Sequence, residues 1–133
     1  MADTDLESER ERLVGFLGLL RASQYWSAER MARYQEDLLA KLLRHARDHV
    51  PFHRRRLEPL FRRRFGPHLH KWHELPVMTR REAAADPKLL MSTQVPPEHG
   101  EVIEIRSSGS TGIPLISHYT AAMQSFAPRR YSG

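Results

Sequence analysis

Cysteine is absent from the chain, which excludes a disulfide framework, thiolate metal sites and a cysteine nucleophile. Long apolar runs are absent too. The longest, "LVGFLGLL" from Leu13 to Leu20, falls well short of the roughly 18 residues that suggest a membrane span. A basic leader is also lacking, since that run follows the acidic "DTDLESERE", whereas a signal peptide carries a positive n-region. No targeting segment is read, and a cytoplasmic location is the default expectation. The aromatics, 8% of the chain, are not interleaved with the arginines in a base-stacking pattern, so nucleic-acid binding is not expected.

Length and composition fit a domain with a small core: 133 residues, 40% of them hydrophobic and 28% charged. The net charge of +5 is unevenly spread. Between Arg44 and Lys71 nine basic residues face only Asp48 and Glu58, a local excess of +7. Such a patch suits nucleic acid, anionic lipid or a phosphorylated substrate. It equally suits a solvated helix face whose arginine stems cover apolar surface, and the arginine triplets are expected to face water.

The first hundred residues have helical spacing. Leu6, Leu13, Phe16, Leu17 and Leu20 predict a first helix ending near "RASQYW". Ser27 is a candidate N-cap for a second, with Met31, Tyr34, Leu38, Leu42 and Ala46 along one face, which must stop before Pro51. Leu57, Leu60, Phe61 and Phe65 suggest a short helix with Pro59 in its first turn. Thr79 and Glu82 match a capping box and predict a helix over 80–85. From Glu101 the pattern changes. "EVIEI" alternates and is β-branched, "LISHY" reads as a second strand, and Thr120 can cap a last short helix.

Between those strands lies "RSSGSTGIPL", Arg106 to Leu115. A simple turn needs one or two such residues, yet this loop holds three serines, a threonine and two glycines. Glycines let a backbone approach a ligand, while amides and hydroxyls donate to phosphate oxygens. The loop is not a P-loop, because Gly109 and Gly112 are three apart and Ile113 follows where Lys is needed; nor is "GSTG" a nucleophile elbow. From the residues alone, a phosphate-binding loop of another kind and a hairpin whose hydroxyls satisfy its own backbone both stand.

Histidines offer a rival chemistry. His45, His49 and His53 fall at i, i+4 and i+8, but Pro51 breaks that helix and no carboxylate or cysteine completes a zinc set. "HLHKWH", with His68, His70 and His73, lies in a loop, and His118 beside the serine loop has no orienting acid in the sequence pattern. No metal ligand and no catalytic residue is assigned. Trp72 and the Tyr25-Trp26 pair are expected to be packing anchors.

Ser107 through Gly112 with Pro114 resembles, position by position, the phosphate-binding signature of the adenylate-forming ligases, Ser/Thr-Ser-Gly-Ser/Thr-Thr-Gly-x-Pro. Upstream, "LLRHARDHVPFHRRRL" and "ELPVMTRREA" are similar in order and spacing to the N-terminal region of phenylacetate-CoA ligase-like and capsular-polysaccharide-type adenylating proteins. The resemblance covers roughly Gln35 to Tyr119. It implies a loop closing over the β- and γ-phosphates of ATP while a carboxylic acid attacks the α-phosphate, giving an acyl-adenylate that coenzyme A can intercept. Ser107, Ser108, Gly109, Ser110, Thr111 and Gly112 would hold the nucleotide. Leu115 stands where the wider superfamily places a lysine, and the downstream motifs for magnesium, adenine, ribose and the catalytic lysine do not occur in these 133 residues.

The fold expected is therefore α/β: a mainly helical region over 1–100, then a strand-loop-strand piece over 101–133 of a larger sheet, as in an incomplete ligase N-terminal domain. The function implied is the ATP-binding N-terminal portion of an AMP-forming ligase, or a truncated product whose remainder is needed for turnover. The alternative is a small, non-enzymatic basic module that binds a polyanion through the region of Arg54 to Arg64.

Overall fold

The computed structural model describes residues 2–62, 65–107, 112 and 114–126. It is mainly helical with a small antiparallel sheet. It divides into two compact units, Met1–Leu39 and Ala40–Gly133.

In the first unit, α1 runs over Ala2–Ser23. Its last turn is closed by side chains: the Ser23 hydroxyl and the Gln24 amide both donate to the Leu20 carbonyl, at 3.0 and 3.4 Å. Helix α2, Ala28–His49, starts where Ser27 accepts from the Arg30 amide at 3.3 Å, so the expected cap forms. Trp26 meets Tyr34 edge-on with ring centroids 5.3 Å apart, and the Arg30 guanidinium lies 4.2 Å over the indole. Trp26 is thus an anchor, but Tyr25 is not, being 89% exposed.

In the second unit the core is Leu43, Val50, Leu57, Leu60 and Ala83. Leu43 displaces the expected Leu42, which stays exposed. The buried positions here are Leu43 and Val50, while Ala46 of the expected face is half-buried and Leu38 is exposed like Leu42. Val50 takes extended geometry (φ −114°, ψ 106°) before Pro51 and ends α2. Two short helices follow, α3 (Pro51–Arg56) and α4 (Glu58–Phe61), the latter with Pro59 in its first turn. Leu57 and Leu60 point inward from them, whereas Phe65 does not continue the stripe and is exposed. Gly66 follows, held so close to α4 that a Cβ there would stand 2.7 Å from the Leu60 carbonyl oxygen.

Residues Leu69–Glu74 form a 3-10 helix rather than the expected open loop, and Trp72 on it is half exposed, so it is not the anchor anticipated. Helix α5, Arg80–Ala85, opens with the capping box: the Thr79 hydroxyl accepts from the Glu82 amide, and the Glu82 carboxylate accepts from the Thr79 amide at 2.8 Å. Two further 3-10 turns, Pro87–Leu90 and Pro97–His99, lead to the sheet. Among the described residues, no helix is long and apolar enough to cross a membrane.

Strands β1 (Val102–Arg106) and β2 (Ile116–Thr120) pair antiparallel, Val102 opposite Thr120 and Arg106 opposite Ile116. Helix α6, Ala121–Phe126, follows at once, with Thr120 accepting from the Met123 amide at 3.3 Å as the sequence predicts. The Ala121 amide donates to the Glu101 carbonyl, closing the open end of the hairpin.

Candidate functional site

The serine-glycine loop joins β1 to β2, so both signature flanks are strand ends. The ladder continues one step past the strands in an unusual way: the Ser107 amide donates to the Leu115 carbonyl at 2.9 Å, and the Leu115 amide donates to the Ser107 hydroxyl oxygen at 2.8 Å. Ser107 thus braces the neck of the loop with its side chain. Its oxygen accepts there, and its proton can still be donated.

Gly112 has φ +104°, a region that side chains with a Cβ rarely enter. Nothing lies within 4 Å of where its Cβ would be, so the backbone angle, not crowding, demands glycine. Ser107 and Gly112 are the two expected contact residues whose positions are described; Ser108, Gly109, Ser110 and Thr111 lie outside the described residues. The hairpin reading and the phosphate reading are compatible at Ser107, because bracing the neck uses only its acceptor.

Strand alternation puts Glu104, Arg106 and His118 on one face of the hairpin beside this neck. The Arg106 Nε donates to Glu104 Oε1 at 2.8 Å, and the cross-strand His118 Nε2 stands 3.8 Å from Glu104 Oε2. The acid that the sequence pattern failed to supply for His118 is therefore its strand partner. The i, i+2 spacing of Glu104 and Arg106 was the available signal.

The basic stretch behaves differently. Arg44 donates to the Gly66 carbonyl at 3.4 Å, and Arg47 pairs with Asp48 at 2.7 Å while lying 4.2 Å over the Phe61 ring. Arg54 donates to the Asp48 carbonyl, and Lys71 pairs with Glu74. Arg56 is the furthest from the expected solvated role. It donates to Glu82 at 2.9 Å and to the carbonyls of Val77 and Pro76 at 2.7 and 3.3 Å, over the Phe52 ring. Arg55 and Arg62 are exposed, and Arg63 and Arg64 lie outside the described residues. A shallow depression of about 370 Å³ between Arg47, Asp48, Arg54 and Glu58 carries balanced charge rather than a cationic field.

Of the histidines, His45 and His49 stack with centroids 5.0 Å apart, and His45 Nε2 is 3.0 Å from the Ser92 hydroxyl. That hydroxyl also donates to the Gln94 carbonyl at 2.7 Å, so the pair ties α2 to the segment after α5. Burial lowers the pKa of His53 from its ordinary value, and the neighbouring Arg56 charge adds to this. Among the described residues, no group of three or more His, Asp or Glu is placed to hold a metal ion.

No protein-family model, curated protein or solved structure matches the chain.

The electrostatics that stand out lie at the capping box. Glu82 is held at about 2 by the Thr79 amide first, then by the Thr79 hydroxyl and Arg56. This is a structural staple, remote in sequence from the loop.

Proposed function

We propose that this chain is the ATP-phosphate-binding portion of an AMP-forming carboxylate ligase, with the loop 107–112 as its grip on the nucleotide. The observation that carries this reading is the setting of the signature: a loop with its neck closed by Ser107 and Leu115, and with a positive-φ glycine at the signature's last glycine. The signature thus sits between two paired strand ends, and its glycines and hydroxyls are residue types that an anion-binding loop uses. The carboxylic acid is the substrate class, and a thiol such as coenzyme A the acceptor. No residue described is assigned to magnesium or to coenzyme A. The polyanion alternative is weakened at Arg54 and Arg56, which are engaged with carbonyls and a carboxylate.

The test is an amide-resolved NMR titration of the chain with ATP and with AMP. ATP is expected to shift the amides of residues 107–112, and AMP, lacking the β- and γ-phosphates, to leave them in place. Gly112→Val should remove the response while the Ile103 and Tyr119 amides keep their positions, since the substitution strains only the loop backbone. Shifts centred on Arg54, Arg55 and Arg62 instead would favour the polyanion module and overturn this reading.

A further inference from the structure

His45 and His49 stand at i, i+4 in the sequence, and the fold gives the pair a setting that spacing alone does not show. We propose that the two imidazoles form a transition-metal site across the last turn of α2, a chelate for Zn(II), Cu(II) or Ni(II) with water completing the shell. The inference stands apart from the reading of the loop at 107–112.

Ser92 fixes the chemistry of His45. Its hydroxyl has one proton, donated to the Gln94 carbonyl at 2.7 Å, and its oxygen also accepts from the Gln94 amide at 3.2 Å. The 3.0 Å contact with His45 Nε2 is therefore an N–H donated by the ring. His45 then carries its bare lone pair on Nδ1, the form a metal ligand needs, and a hydrogen bond at the other nitrogen is what orients such ligands. His49 is held through its backbone, since its carbonyl accepts from the Thr93 amide at 2.7 Å and from the Thr93 hydroxyl at 3.1 Å. The segment at 92–94 thus presets both ends of the turn.

The spacing of the rings suits a shared ion. Their centroids are 5.0 Å apart and their planes are tilted by 42°. A zinc–nitrogen bond of roughly 2.0–2.1 Å puts each ring centre roughly 3 Å from the metal, so two rings at a tetrahedral angle stand roughly 5 Å apart. Both histidines are half-buried, which keeps the remaining positions within reach of water. Arg47, two residues from each, lies on the other side of the helix over the Phe61 ring, so its charge does not face the pair. Imidazole nitrogens select zinc, copper or nickel over magnesium and calcium, which take oxygen ligands.

The experiment titrates Zn(II) into the folded chain at mildly alkaline pH, where protons do not compete for the ring nitrogens, and reads the imidazoles by long-range proton–nitrogen NMR correlation. Expected are shifts of His45 Nδ1 and of one ring nitrogen of His49, with His45 Nε2 keeping its proton and Mg(II) shifting neither ring. His49→Gln should abolish the response at His45. Ser92→Ala should weaken Zn(II) binding about tenfold, the lower end for loss of an orienting partner. Shifts confined to His68, His70 and His73, or binding that His49→Gln leaves intact, would overturn the proposal. Should a variant unfold, the wild-type spectrum decides alone, and zinc on His45 Nε2 or on neither ring overturns it.

Discussion

Arg56→Ala is expected to destabilise the chain by about 2 kcal/mol, far more than a surface arginine should. The magnitude follows from what the guanidinium touches. A hydrogen bond from a charged donor is worth roughly 1.5 to 3 kcal/mol. The 2.7 Å contact to the Val77 carbonyl earns the lower end of that range, because the Arg56 side chain keeps 19% exposure. The 3.3 Å contact to the Pro76 carbonyl adds a fraction more. The ion pair with Glu82 adds little, since that carboxylate is 43% exposed and water screens it. Losing the Arg56 contacts would free the segment at 76–77 that leads into the α5 cap. Arg56→Lys keeps the charge but cannot reach several acceptors in a fork, so it should lose about half as much. The assay is urea unfolding followed by far-ultraviolet circular dichroism at constant slope. Arg55→Ala, one residue away and exposed, is the control and should shift stability by less than about 0.5 kcal/mol. Overlapping curves for the Arg56 and Arg55 variants would refute the reasoning.

Three further outcomes follow from the same contacts. Glu82 has a folded pKa of about 2 against an ordinary 4.5; its stabilisation is therefore complete above pH 4.5 and is lost as the pH falls toward 2, so the urea midpoints of wild type and Glu82→Gln should converge at the acid end, and a constant gap would contradict this. Thr79→Ala removes the other half of the capping box and should cost about 1 kcal/mol in the same unfolding measurement. Leu43→Ala should cost about 2 kcal/mol or more and Leu42→Ala far less, and equal losses would show that the buried face is misassigned.

What was legible in the sequence was local. The Ser27, Thr79 and Thr120 caps each depend on a bond within three residues, and all three form where the pattern places them. The hairpin strands were legible because alternation is a local property too. What failed depended on partners far along the chain. Leu42 and Leu43 are equally plausible on helical spacing alone, and which one is buried is decided by tertiary packing that spacing does not report. Arg56 reads as a solvated member of a triplet until Glu82, 26 residues away, turns it inward. Ser92 carries no signal at all until α2 brings His45 to it across 47 residues. At the candidate site, the position of the loop between two strands was readable but its neck was not. That Ser107 spends its oxygen on Leu115, and that Glu104 and His118 face each other beside it, follow only from the strand register.

The central claim, that the loop after Arg106 holds the phosphates of ATP, is tested most directly by photolabelling with an ATP derivative carrying its reactive group on the γ-phosphate. Trypsin cuts after Arg106 and next after Arg129, so the whole loop leaves as one peptide beginning at Ser107. The account predicts label in that peptide, displaced by ATP and by pyrophosphate but not by AMP. Label confined to the peptides around Arg54 to Arg62, or loop label that pyrophosphate fails to displace, would contradict it.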